Sequence, residues 1–306
     1  MDRFQEMQVF IAVCEARSFA TAARRLAMSA PSVTRAVAAL EQRLGTSLLS
    51  RTTRSVHVSE AGLRYLSDCR RILNELEEAE DAAGGSLAAP VGQLTVTAPV
   101  LFGELFVMPL VVSYLQRYPG VSIDALLLDR VTQMLEEGID VAVRIGHVVD
   151  SHQHATQVGE VRQVLCASPR YLAINGRPTH PDDLQMHRLV VSSSSVLLQR
   201  WAFEDQGRAL SVNVQSRLTV SGSQPAITAA TMGWGITRVL SYQVASHVEK
   251  GELELILEDY ELAPLPVHVC YLAERNVSAK VRTFVDHCIQ QLGQTLVGKT
   301  CGRARR

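Results

Sequence analysis

Apolar positions in the first 58 residues recur at spacings of three and four, and the breaks between runs fall on residues that start or stop helices. Phe4, Met7, Phe10, Ile11 and Cys14 predict one face of a helix over residues 3–16. Ser18 is placed to cap a second helix whose Ala20, Ala23 and Leu26 point inward, the alanines small enough for close helix approach. Ser29 is placed to cap a third helix, with Pro31 in its first turn, where a missing N–H costs nothing. Val33, Val37, Leu40 and Leu44 form its expected buried stripe, and Gly45 its stop. Residues 47–59 read as a short two-stranded wing. Ser59 and Glu60 then open a long helix to about Ala83, in which Leu66, Cys69, Leu73 and Leu76 keep the three–four spacing.

Past a small-residue hinge over residues 84–92 the pattern changes to alternating β and α signals. Strands are expected over 94–97, 121–128, 140–144, 163–167, 189–192, 210–220, 235–239 and 267–272. Helices are expected over 106–118, 131–137, 169–174, 223–232 and 279–292. Such alternation predicts a mostly parallel sheet covered by helices, in two α/β lobes with a cleft between them.

Composition adds a location for the charge. The chain of 306 residues is 47% hydrophobic and 20% charged, enough for two or three globular domains, and its net charge is −1. Residues 1–64 nevertheless hold nine arginines against five carboxylates, a local excess suited to phosphate contacts, and the acidic run from Glu75 to Asp81 follows. Six scattered cysteines form no CxxC pair and read as reduced thiols; Cys166 with Cys270 is the redox pair weighed against that reading. The N-terminus has no export signal and no apolar run reaches the roughly 18 residues of a membrane span, so a cytoplasmic protein with no membrane partner is expected.

A helix, a tight turn, a second helix and a basic hairpin form the layout of a winged helix-turn-helix that reads double-stranded DNA. The start of the third helix then enters the major groove, presenting Ser29, Ala30, Pro31, Ser32, Thr34 and Arg35. Arg35 can grip guanine in a bidentate contact or hold a phosphate; Thr34 can donate a hydrogen bond or touch a thymine methyl. Ser32 and Thr34 read equally as plain surface hydroxyls. Arg51, Thr53 and Arg54 lie at the wing, where arginine enters a minor groove or clamps phosphate, or is solvated surface charge. Two modules reading a near-palindrome need two-fold symmetry, so the seam of Leu66, Cys69, Leu73 and Leu76 is expected to join a homodimer, against the alternative that it packs on its own domain.

Ligands of open α/β sheets sit beyond the strand C-termini. That rule selects Ala98, Pro99, Val100, Leu101 and Phe102, then Arg144 and Gly146, Ser193 to Ser195 with Ser194 between, and Ser221, Gly222 and Ser223. Each is also ordinary turn chemistry. The expected ligand is a small anionic or aromatic metabolite of unidentified structure, with no further cofactor.

The run from Phe10 to Leu26, followed by Ser32 to Gly45, Leu48 to Arg54 and Ser59 to Gly62, resembles the LysR-type transcriptional regulators. The resemblance spans nearly the whole chain, through Tyr118 to Val121, Glu136 to Gly146 and Gly233 to Ile236. It implies an α+β multi-domain fold: a winged helix-turn-helix DNA-binding domain over 1–59 and a linker and dimerisation helix with hinge over 60–91. A two-lobed effector-binding domain built like a periplasmic binding protein follows over 92–296, with lobe I 92–162 plus 267–296 and lobe II 163–266. A flexible basic tail is expected over 297–306. Promoter DNA, a second copy in a homodimer or homotetramer, RNA polymerase and a small-molecule effector are the implied partners. Two positions depart from the family pattern. Ala30 stands where Gln is frequent, which removes an adenine reader, and Leu101 stands where a hydroxyl is frequent, which weakens the expectation of a carboxylate effector.

Other signals are weaker. His147, His152 and His154 lack a carboxylate or cysteine at ligand spacing, so no metal is expected. Gly233-Trp-Gly235 follows a helix, the wrong order for phosphate binding, and Ser192 to Ser195 lack the frame of a nucleophile elbow. No nucleophile–base set marks an enzyme. A cytoplasmic solute-binding protein is the competing function, supported by the α/β half alone.

Overall fold

A computed structural model of the chain describes residues 2–51, 56–84, 89–148, 153–192, 200–272 and 278–299. It divides into two compact units, one built mainly from residues 1–90 and one from most of the remainder.

The first unit follows the caps. In helix α1 (Arg3–Ala16) the Asp2 side chain accepts the Gln5 N–H at 2.7 Å; Ser18 and Ser29 do the same for α2 (Phe19–Arg25) and α3 (Ala30–Leu44). Gly45, at φ 66°, ends α3, and the Thr46 N–H closes back on the Glu41 carbonyl. Strands β1 (Leu49–Arg51) and β2 (Val56–Val58) pair antiparallel, and α4 runs from Glu60 to Gly84. Val9, Phe10, Val13, Val33, Val37 and Leu40 form the centre of the core.

Three of the expected inward positions point out: Phe4 and Leu44 are exposed, as is Ala20, while Ala12, Ala22 and Ala36 are buried instead. Helix α1 touches α2, α3 and α4 at once, so its buried surface is wider than a single stripe and takes in Val9, Ala12 and Val13 as well. The α4 seam also needs correction. Cys69 is fully buried in this unit's own core, and Leu66 and Leu73 pack against that core. Cys69 is thus enclosed within one chain, while Leu66, Leu73 and Leu76 are half-buried.

The second unit holds two five-stranded sheets. Strand β3 (Gly92–Ala98) leads into a continuous helix of three parts: α5 (Val100–Phe102), a π-helical turn (Gly103–Val107) and α6 (Met108–Arg117). Next along the chain come β4 (Val121–Leu127), α7 (Met134–Glu137, which is grouped with the first unit), β5 (Val141–Ile145), β6 (Gln153–Val161), β7 (Gln163–Ala167), α8 (Pro169–Asn175) and β8 (Leu189–Ser192). The chain continues through β9 (Arg200–Asp205), β10 (Arg208–Asn213), β11 (Ser216–Val220), α9 (Ser223–Thr231), β12 (Ile236–Leu240) and α10 (Ser241–Glu249). It closes with β13 (Glu254–Ile256), β14 (Leu265–Leu272) and α11 (Ala279–Lys299).

Each sheet is mixed, with two parallel and two antiparallel pairings. The first has the order β4-β3-β5-β14-β6, in which β14 alone runs against the other four, and the second the order β11-β8-β12-β7-β13, in which β7 alone does. Consecutive β6 and β7, separated by Arg162 alone, pass from the first sheet to the second, and β14 returns. A strand entering a sheet from the other lobe runs against the local set. The segment expected as one strand over 210–220 is two, because β10 pairs with β9 in a separate hairpin and β11 joins β8. Strands β6 and β9 and helix α10 had no counterpart in the sequence pattern. The expected tail begins later than residue 297, since α11 continues to Lys299.

The helix over Val100–Arg117 corrects another expectation: by length and composition it is apolar enough to cross a membrane. Its apolarity is explained by Phe102, Phe106, Val107, Leu110, Val111 and Tyr114, all buried in this unit. The Tyr114 hydroxyl reaches the Lys280 carbonyl at 3.1 Å and Thr283 Oγ1 at 2.8 Å, pinning α6 to α11.

His187 makes this unit sensitive to acid. The Tyr171 hydroxyl accepts the Arg188 N–H at 3.0 Å and lies 3.1 Å from His187 Nδ1, to which it can donate when the imidazole is neutral with its proton on Nε2. Burial lowers the His187 pKa below its ordinary 6.5, with Asp183 opposing. The unfolded chain therefore takes up the proton first as pH falls; the stabilisation is complete above the unfolded value and is lost below it. Lowering the pH from about 7.5 to about 5 is expected to lower the melting temperature, and less so in His187→Gln. Superimposable pH profiles for the two proteins would refute this role.

Candidate nucleic-acid interface and effector cleft

Between α2 and α3 the chain turns through Ala27 at φ 50°, a left-handed conformation uncommon for a side chain with Cβ. The turn delivers Ser29 to the start of α3. Ser29 Oγ accepts the Ser32 N–H at 3.2 Å and shares a 2.8 Å hydrogen bond with Ser32 Oγ. A cap of this kind contributes about 1 kcal/mol. Ser29, Ala30, Pro31 and Arg35 are exposed, and Ser32 and Thr34 half-buried, so the six residues selected from the sequence lie on one helical turn and its continuation. Among the described residues Arg35 has one long hydrogen bond, 3.5 Å to Ser32 Oγ, and its side chain is exposed.

Other arginines of this unit are held by its own carboxylates. Arg43 binds Glu6 at 2.9 Å and joins α3 to α1, and Arg70 binds Glu15 at 2.8 Å. Glu41 Oε1 accepts the N–H groups of Leu48 and Leu49 at 2.8 and 3.0 Å, which fixes the entry of the wing on α3. The exit is fixed by Ser59, whose hydroxyl donates to the Ser47 carbonyl at 2.8 Å and accepts the Gly62 N–H at 3.0 Å. Arg51 pairs with Val56 at the last rung of the wing. Thr53 and Arg54 lie outside the described residues.

At the second unit's cleft, the β3 end does not continue as a loop. Ala98 and Phe102 are buried, Pro99 precedes the first turn of helix, and the Val100 N–H donates to Asp129 Oδ1 at 3.0 Å. Leu101 packs into the other lobe, against the cluster containing Cys166, Ile227, Val239 and Val244. Phe102 and Phe106 meet the Tyr242 ring edge-on at 5.3 and 5.7 Å. Arg144 donates to the Thr132 carbonyl at 2.8 Å, and the Gly146 N–H, at φ 111°, to the Pro266 carbonyl at 2.8 Å. Ser221 is exposed; Gly222 opens α9 without a side-chain cap; Ser223 Oγ accepts from Gln243 Nε2 at 3.1 Å. Ser193, Ser194 and Ser195 lie outside the described residues.

Asp129, Tyr242 and Gln243 escaped the sequence reading. Asp129 is exposed and carried no distinguishing signal, since a solvated carboxylate after a strand is ordinary surface chemistry. Tyr242 and Gln243 carried none, as they sit on α10, which the pattern did not reveal.

The helix-turn-helix segment, residues 4–63, matches the bacterial regulatory helix-turn-helix protein of the lysR family, and residues 88–293 match the LysR substrate binding domain. An HTH-type transcriptional repressor of Pseudomonas aeruginosa is 32% identical over 288 residues, 94% of this chain and 91% of that protein. The HTH-type transcriptional activator AaeR of Escherichia coli is 30% identical over 286 residues, 94% and 93% of the two chains. Among solved structures, the full-length virulence activator AphB of Vibrio cholerae superposes with a TM-score of 0.62 at 26% identity, covering 94% of this chain and 99% of that one. CrgA of Neisseria meningitidis, a LysR-type transcriptional regulator, gives 0.61 at 29% identity, with 94% and 98% coverage.

Proposed function

The chain belongs to the LysR-type transcriptional regulators, DNA-binding proteins with an effector-binding domain, and from that premise we propose how its parts divide the work. Residues 1–59 bind promoter DNA, residues 60–91 join two copies, and residues 92–296 bind a small-molecule effector between their lobes. The observation that carries this reading is the exposed, Ser29-capped first turn of α3 with the exposed side chain of Arg35. A helix start of that shape offers N–H groups to phosphate while its side chains reach base edges. Ser29, Ala30, Pro31, Ser32, Thr34 and Arg35 form the groove-facing set, and Arg51, Thr53 and Arg54 the wing contacts.

The protein works in the cytoplasm as a homodimer or homotetramer, beside RNA polymerase at the promoter, and carries out no catalysis. Dimerisation through α4 uses the surface its own core leaves uncovered, where Leu63 is exposed and Leu76 half-buried. The effector shifts promoter occupancy by binding one arrangement of the DNA modules better than another. A solute-binding role is disfavoured by relatives that match along more than nine-tenths of their length, helix-turn-helix included.

A gel-shift titration on the promoter region next to its own gene, across salt concentrations, tests the proposal. Tight binding that weakens steeply with salt and resists competitor DNA is expected. Equal affinity for promoter and competitor would refute it.

A further inference from the structure

The chain passes between the lobes of the effector unit twice, and the two crossings run side by side. Strands β6 and β14 are neighbours in the first sheet, with Leu265 opposite Val161. Strands β7 and β13 are neighbours in the second, with Ile256 opposite Leu165. Between these two rungs the antiparallel ladder stops. One side of the gap holds Arg162, the junction of β6 and β7; the other holds residues 257–264, between β13 and β14. A ladder bends most easily where its rungs stop, so this gap is the pivot between the lobes unless something spans it.

Arg162 spans it. Its Nη1 donates to Glu261 Oε2 at 2.9 Å and to Oε1 at 3.2 Å, and Glu258 Oε2 lies 3.6 Å away. The Glu261 side chain is 8% exposed and that of Arg162 27%, so water and salt screen this pair less than an ion pair at the surface. The main chain of Arg162 is fixed to lobe II. Its N–H donates to Ser241 Oγ at 3.2 Å, and its carbonyl accepts the Ser241 N–H at 2.8 Å. With the backbone held there, the guanidinium is the arm that reaches the second crossing.

The segment it reaches is strained. Leu257 stands at φ 57° and ψ 32°, a left-handed conformation in which Cβ crowds the following carbonyl oxygen. Backbone of this kind persists only where its surroundings hold it. The buried Leu257 side chain holds it from the core of lobe II, and Glu258 and Glu261, just beyond, are held by Arg162.

We infer that Arg162, with Glu258 and Glu261, is a latch on the crossover: it fixes the angle between the lobes, and a ligand that changes that angle does so against it. A latch acts on the pivot and not on the sheets to either side. The inference rests on the cleft being the effector site, because only then does the lobe angle carry a signal.

The test removes one charge from the latch and asks where the protein loosens. Full-length wild type, Glu261→Gln, Glu258→Gln and Arg162→Lys are compared by hydrogen–deuterium exchange resolved by peptide. Glu261→Gln is expected to exchange about ten-fold or more faster at the β6–β7 and β13–β14 junctions, with rates in β3 and β8 unchanged. Glu258→Gln removes the longer and more exposed contact, and is expected to speed the same peptides by less than about three-fold. Wild-type rates at both junctions in Glu261→Gln would overturn the inference, since nothing would then be latched. Equal acceleration in β3 and β8 would overturn it too, by making the pair a brace for the whole unit. If Glu261→Gln fails to fold, Arg162→Lys, which keeps a positive charge but loses the guanidinium, carries the same comparison of junctions against sheets. Exchange is measured without DNA, so it reports on the latch alone. The regulatory reading fails separately, if a variant with loosened junctions binds operator as wild type does.

Discussion

Arg35→Ala combined with Arg51→Ala lowers operator affinity by roughly 100-fold or more, if each arginine contributes the roughly 1–3 kcal/mol typical of base and phosphate contacts. The two changes are expected to differ in kind. Arg35 stands on the first turns of α3 with its side chain exposed. Its loss should relax sequence preference at one base step as well as affinity. Arg51 lies at the last rung of the wing. Its loss should weaken all sequences alike and reduce the slope of affinity against salt by about one ion. Gel shifts on operator and competitor duplexes at several salt concentrations separate these effects. A folded double variant with undiminished operator affinity would remove the basis for assigning DNA recognition to this surface.

Gly62→Ala is expected to damage the same module without touching its DNA-facing side. A Cβ at Gly62 would lie 2.1 Å from the Leu48 carbonyl oxygen and 2.8 Å from Val58 Cγ1. The first neighbour is backbone, so the side chain cannot turn aside. Helix α4 has to move away from the wing, which breaks the Ser59 link between Ser47 and Gly62. Overpacking of this sort costs about 1–3 kcal/mol, and more where backbone must shift. Thermal unfolding followed by circular dichroism should show a lower first transition, and operator affinity should fall with it because the wing loses its seat. A variant with wild-type melting and wild-type affinity would show that α4 and the wing are not coupled in this way.

The contrast between these residues shows what could be read from the chain. Arg35 and the Ser29 cap are local: the cap forms within three residues, and the arginine is one helical turn further on. Gly62 was visible only as part of a motif, because the carbonyl it approaches belongs to Leu48, on the far side of the wing. The same difference separates the faces of α1. Periodicity identified Met7, Phe10 and Cys14, all buried, yet missed Val9, Ala12 and Val13, because the number of helices around α1 is a property of the assembled unit.

In the effector unit the division is sharper. The strand Leu189–Ser192 is a short apolar run and was evident from composition, whereas β10 and β11 merged into one because nothing local says that two adjacent segments will pair with different partners. Leu101 drew notice as an apolar residue where a hydroxyl is frequent, but its insertion into the opposite lobe follows from how the lobes meet.

The sequence alone determined the helix-turn-helix, its caps, the basic wing and the family, since each depends on hydrogen bonds or spacings within a few residues. The tertiary structure alone decided which face of α4 its own core occupies, how the strands cross between lobes, and that Asp129 meets the Val100 N–H across 29 residues of chain. Side-chain burial and electrostatic pairing between distant segments depend on where the backbone brings them, and periodicity records only that a residue is apolar or charged, not what it will face.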